Sequence, residues 1–154
     1  MKKHDTIHKT VYIAGPMRGI PDLNFPAFDE AKRLAIALGW NVISPADMDR
    51  RKGIDPQAPQ DSYSIPEVAR KFAAEDLEVL TCDLRAEDGD AVAVLPGWER
   101  STGTIAEVAT ALWCGLSILD ARTMKPLEEK NIIRGAIGMK FVDGIWKANA
   151  HRGI

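Results

Sequence analysis

Two glycine-bearing stretches and a set of carboxylates hold the residues whose types and spacing suit chemistry. The first stretch, GPMRG at residues 15–19, directly follows the β-forming run TVYIA. Its glycines let a backbone come close to a ligand, and Arg18 offers a planar fork for a phosphate. A tight turn carrying a solvated arginine is the plainer reading of the same residues. The second stretch is LPGWERSTGTIAEVA at residues 95–109. Ser101, Gly103 and Thr104 stand where a helix begins, and unpaired N–H groups with the positive end of the helix dipole make that an anion site. Glu107 lies about one turn further in, near the same place. On the plainer reading Ser101 only caps the helix and Glu107 only complements its dipole. Asp76 and Asp83 share the apolar stripe of an earlier helix, where a carboxylate is costly unless paired or open to a cavity.

What is absent narrows the chemistry to these carboxylates. The three histidines, His4, His8 and His151, sit near the chain ends, so a Ser-His-Asp, Cys-His or histidine-rich metal arrangement is not expected, and no metal or other cofactor is. Cys82 and Cys114 lack metal-ligand spacing and read as buried thiols of a reducing compartment. There is no GxxxxGK[ST] and no GxGxxG. A net charge of −2 gives no basic field for a nucleic-acid polymer or an anionic membrane. No apolar run is long enough to span a bilayer, and no apolar region follows the basic start MKKHDTIHKT, so a cytoplasmic protein is expected.

The elements that must position these groups alternate between strand and helix. At 154 residues the chain suits one domain with flexible ends and a core over about residues 10–143. Residues 10–14 read as a buried strand. A helix follows, with Asn24 as N-cap, Pro26 in its first turn, Phe28, Ala31, Leu34, Ala35 and Leu38 at helical spacing, and Gly39 as its stop. WNVIS at residues 40–44 is a second strand, and residues 46–63 read as a long polar loop: a lid, a binding loop or a mobile insertion. Ser64 and Glu67 form a capping box for a helix striped by Val68, Phe72, Val79 and Leu80. AVAVL at residues 91–95 is the third strand, ahead of a helix ending near Cys114 and Gly115. Residues 116–119 are the fourth strand and residues 139–142 a weaker fifth. Continuous apolar strands alternating with helices predict an α/β domain of flavodoxin-like order, five parallel strands covered on both faces, with ligands outside the carboxyl ends of the strands.

TVYIAGPMRG, a helix, an acidic helix and then LPGWERSTGTIAE, in that order, resemble the nucleoside 2-deoxyribosyltransferase superfamily, and within it the members with a GPM turn and an LPGW loop. The resemblance spans residues 11–142. It implies a flavodoxin-like fold and cleavage of the N-glycosidic bond of deoxynucleosides or their 5′-monophosphates. Glu107 then matches the glutamate that attacks the anomeric carbon, and Tyr12 a strand-one tyrosine near the catalytic carboxylates. Gly15, Met17, Arg18 and Gly19 match the segment that cradles the substrate. Ser101, six residues before Glu107, matches a serine that contacts the 5′-phosphate, which favours a nucleotide over a nucleoside. For the aspartate beside the nucleobase, Asp83 has the better distance before strand three, and Asp76 in AEDLEVL the better local sequence; Asp83 is preferred and Asp76 held open. KNIIRGA at residues 130–136 resembles the segment that reaches a neighbouring subunit's site, with Lys130 or Asn131 as the reaching residue, and implies a homodimer or larger homo-oligomer. Lys130 departs from the Ser or Asn of the family.

Trp98 either stacks a base or closes its loop over the core. The PGxxxxxGTxxE pattern also echoes a phosphoribohydrolase group, whose PGG turn and closer glycine spacing this chain lacks. Three functions follow as expectations: a nucleotide N-glycosidase or deoxyribosyltransferase-like enzyme, a nucleotide-binding protein without turnover, and a phosphoribohydrolase acting on a ribonucleotide. In the first, a carboxylate traps the sugar cation and a second acid receives the charge of the departing base.

Overall fold

The computed structural model describes residues 8–60, 66–136, 139–142 and 145–148. Strand β1 (Thr10–Ala14) is central, and its residues from Val11 onward are buried, as a strand covered on both sides must be. It pairs in parallel with β2 (Asn41–Ile43) on one side and with β3 (Ala91–Val94) on the other. β4 (Ser117–Asp120) adds in parallel to β3, and the two-residue β5 (Lys125–Pro126) adds antiparallel to β4. The sheet order is β2-β1-β3-β4-β5. The protein is thus α/β with a mostly parallel five-stranded sheet.

The fifth strand differs from the one expected. After β4 the chain turns back at once through Met124, which has a left-handed φ of 56°, so Lys125 and Pro126 claim the sheet edge. Pro126 has no N–H to extend the ladder. Residues 139–142 instead form β6 (Met139–Val142), paired antiparallel with β7 (Ile145–Ala148) in a separate two-stranded sheet. The dipeptide Asp143-Gly144 between them is a hairpin signal in the sequence.

Alternation along the strands sends neighbouring side chains to opposite layers. Val11, Ile13, Ala91, Ala93 and Leu119 pack with Phe28, Ala31 and Ala35 of α1 (Phe25–Ala37). Tyr12, Ala14, Val92, Val94 and Ile118 pack with Val108 and Ala111 of α4 (Thr102–Trp113). Helices therefore cover both faces. Tyr12 points to the α4 layer for the same period-two reason.

The stretch read as a polar loop begins with a helix, α2 (Pro45–Arg51). Pro45 occupies the first turn, where its missing N–H costs nothing, and Ala46 and Asp49 are buried. Arg50 pairs with Asp29, and Lys32 with Asp47, both at 2.7 Å, which fastens α2 to α1. These charges carry no helical periodicity, so the pattern hid the helix.

Helix α3 (Pro66–Glu78) has no fully buried residue. It continues into a π-turn, Val79–Asp83, which buries Val79 and Leu80. Ser64, half of the expected capping box, lies outside the described residues. Cys82, in that turn, and Cys114, which ends α4, are exposed rather than buried. Helix α5 (Glu129–Ala136) follows β5. Among the described residues no helix is long and apolar enough to cross a membrane.

Candidate active site

The register of β1 and β3 brings the two glycine-bearing stretches together. Ala14 is paired with Val94, and Leu95 N donates to Ala14 O at 2.9 Å. Gly15 therefore lies against Leu95, and a Cβ there would stand 2.6 Å from the Leu95 side chain. Only glycine lets the two strand ends meet this closely. Asn24, at the start of α1, is itself left-handed, and its side chain donates to Pro16 O at 2.8 Å instead of capping the helix. Asp22 and Leu23 are left-handed as well, and the buried Leu23 reaches the site through that turn.

A cavity of about 600 Å³ opens at these strand ends, beside β1, where the strand order changes direction. Its lining joins the turn Gly15, Met17 and Arg18 to Ser101, Gly103, Thr104 and Glu107 of α4. Asp76 and Phe72 of α3 and Asp49 of α2 complete the wall. Ser101 is the N-cap of α4: its Oγ accepts from Thr104 N at 3.3 Å and from Thr104 Oγ1 at 3.0 Å. Its own hydroxyl proton is then left to donate. Gly103 has open space where a side chain would be, so the helix start is accessible from the cavity. Gly19 does not line the cavity; its N–H donates to Gln60 Oε1 at 2.9 Å and pins the end of the turn.

Glu107 is 8% exposed, and Tyr12, fully buried, donates its hydroxyl to Glu107 Oε1 at 2.8 Å. Burial, then the charge of Asp76, pushes Glu107 up to about 8 against the pull of the Tyr12 hydrogen bond. Burial, then Asp49, pushes Asp76 up to about 6, with Lys52 and the Tyr12 hydroxyl opposing. Burial, followed by the charge of Glu107, holds Tyr12 well above its ordinary range, so it stays a proton donor in a hydrogen bond. Near neutral pH, Asp76 and Glu107 together hold about one proton, as interacting carboxyls do. Such a pair can act as one nucleophile and one acid. Among the described residues no cluster of metal-ligating side chains is present.

The preferred aspartate, Asp83, is exposed and lines a separate shallow groove with Lys52 and Glu78; Asp76 is the aspartate in the cavity. An uninterrupted α-helix puts Asp76 and Asp83 on one face. The π-turn turns each residue less per step, so Asp83 falls behind that register. Trp98 is 7% exposed and packs into the core layer of α4, closing its loop, and does not line the cavity. Lys130 is exposed and pairs with Glu128 at 2.8 Å, and Asn131 is exposed beside it; neither lines the cavity of its own chain. His8 is exposed, and His4 and His151 lie outside the described residues. Sequence reasoning missed Arg100, Asp49 and Phe72. Arg100 directly precedes the cap Ser101 and was legible there as a cation at a helix start; Asp49 was hidden in the stretch taken for a loop.

No curated protein and no solved structure matches the chain. A family model does match, over residues 9–120, which hold β1 to β4 and every residue lining the cavity. The chain belongs to the family of that model, the domain of unknown function DUF4406.

Proposed function

We propose that the chain cleaves the N-glycosidic bond of a nucleoside or deoxynucleoside 5′-monophosphate and releases the nucleobase. The observation that carries this is the buried Tyr12–Glu107 pair, set beside Asp76 in a cavity whose rim is a helix start flanked by Arg18 and Arg100. The phosphate is held by the N–H groups of α4, the Ser101 hydroxyl and the arginines. That anchor fixes the sugar over Glu107. The Tyr12 hydroxyl occupies one oxygen of Glu107 and orients the other.

The reacting form of the singly protonated pair is the one with its proton on Asp76 and with Glu107 as the carboxylate that accepts the Tyr12 hydrogen bond. The Glu107 oxygen bonds to the anomeric carbon as the carbon–nitrogen bond breaks, and the Asp76 carboxyl gives that proton to the departing base. Water then attacks the same carbon and loses a proton to Asp76, and the Glu107 carboxylate leaves. A second base in place of water makes the reaction a transfer. The resemblance of TVYIAGPMRG and LPGWERSTGTIAE to the nucleoside 2-deoxyribosyltransferases supports this reading. So does the order β2-β1-β3-β4, which suits a flavodoxin-like core with an antiparallel fifth strand. On the same reading the protein is a cytoplasmic homodimer in which Lys130 or Asn131 of a second copy approaches the cavity. Full activity from a protein that sediments as a monomer contradicts that last point.

The test is incubation with a panel of nucleoside and deoxynucleoside 5′-monophosphates, following free base and sugar phosphate by chromatography. The expected result is release of both in equal amounts from at least one member, and none from the matching nucleoside at the same concentration. Binding without release across the panel selects the non-catalytic reading instead.

A further inference from the structure

Three charged groups around Asp76 have no part in the proposed reaction. Asp49 is 7% exposed and lines the cavity from α2. Lys52, which ends α2, places its Nζ 3.6 Å from Asp49 Oδ1 and hydrogen-bonds Glu75 Oε2. The same ammonium stands 4.6 Å from the centroid of the Phe72 ring. Glu75 directly precedes Asp76 on α3, and Phe72 lies about one turn before it. Because α3 has no fully buried residue, apolar packing alone anchors it weakly, and this cation joins it to α2 at two points.

We propose that Lys52 is a positioning residue that clamps α3 to α2 through Glu75, Phe72 and Asp49, and so fixes where Asp76 stands in the cavity and what charge it faces. The groups facing Asp76 are Tyr12 from β1, Asp49 and Lys52 from α2, Glu75 from α3 itself and Glu107 from α4. Asp49 and Glu75 make ionisation of Asp76 harder, and Lys52 and the Tyr12 hydroxyl make it easier. Removing the ammonium therefore leaves three acids around Asp76 without their cation. The aliphatic stem of Lys52 over Phe72 supplies packing that a neutral replacement retains, which separates the charge from the shape.

The clamp rests on the proposed reaction only for its kinetic readout. Carbon-13 NMR of the aspartate carboxyls in the full chain, with Asp76→Asn used to assign the signal, follows the titration of Asp76 directly. In Lys52→Met the midpoint of Asp76 is expected to move up by roughly half a pH unit or more. Lys52→Arg is expected to bring it back toward the wild-type value. The acid side of the pH profile for base release is expected to move in the same direction. An unmoved Asp76 titration in a folded Lys52→Met protein overturns the proposal. Should that variant not fold, Lys52→Gln decides: it removes the same charge and keeps a polar end for Glu75, the Asp76 midpoint is again expected to move up, and an unchanged midpoint overturns the clamp. A moved titration in a protein that releases no base leaves the clamp standing and removes the reaction instead.

Discussion

The contact between Tyr12 and Glu107 joins core and chemistry in two side chains. Tyr12 is part of the α4 core layer and is also the donor to a buried carboxyl, so Tyr12→Phe keeps the packing and deletes one hydrogen bond. Loss of a buried bond of this kind costs about 1–2 kcal/mol of stability. The alkaline side of a bell-shaped rate profile reports loss of the one proton that Asp76 and Glu107 share. The Tyr12 bond lowers the pKa of Glu107, so its loss moves that side to higher pH. An unchanged profile, with the fold checked by circular dichroism, contradicts the assigned role of Tyr12. Glu107 also makes the stability of the protein depend on pH. Its folded value of about 8 lies above the unfolded carboxyl, so the fold holds the proton more tightly. The associated stability is complete below the unfolded value, near 4, and is lost as the pH rises through the folded one. Glu107→Gln is therefore expected to match wild type at acid pH and to exceed it by roughly 1–3 kcal/mol above pH 8 in urea unfolding. Equal stability at both ends of the range contradicts the buried, proton-holding carboxyl.

The start of α4 and the turn after β1 act as a unit, because strand register sets them side by side. Arg18 comes from one strand end and Arg100 from the other, and both line the cavity near the N-cap Ser101. Calorimetry is expected to find a 5′-monophosphate bound more tightly than its nucleoside, with Arg18→Ala or Arg100→Ala each removing about 1–3 kcal/mol of that preference. Equal affinity of wild type for the two ligands contradicts the phosphate cradle. Much of this element-scale picture was legible in the sequence. The apolar runs located β1 and β3, and the cap Ser101 and stop Gly115 bracketed α4. What escaped was set by contacts distant in sequence. Helix α2 is made by ion pairs to α1 and by the burial of Ala46 and Asp49, which no local period records. Asp83 was preferred over Asp76 because spacing assumes a uniform helix, and the π-turn breaks that assumption.

At the scale of the whole molecule, the sheet decides what the cavity can be. β1 lies between β2 and β3, so the carboxyl end of the sheet opens where the chain leaves on either side, and acids from β3's helix and from α3 converge there. The weak fifth strand was misplaced in the sequence because a two-residue edge gives no periodic signal, while residues 139–142 do. Neither change touches the cavity, whose lining comes entirely from residues 15–107. The central claim is that this cavity breaks a glycosidic bond through Glu107. The most direct measurement compares wild type with Glu107→Gln on the best monophosphate of the panel, reading nucleotide affinity by calorimetry and base release by chromatography on the same samples. The expected result is affinity within about threefold of wild type, with base release reduced by at least about a thousandfold, since the nucleophile alone is removed. Base release by the Gln protein at the wild-type rate would contradict the claim outright.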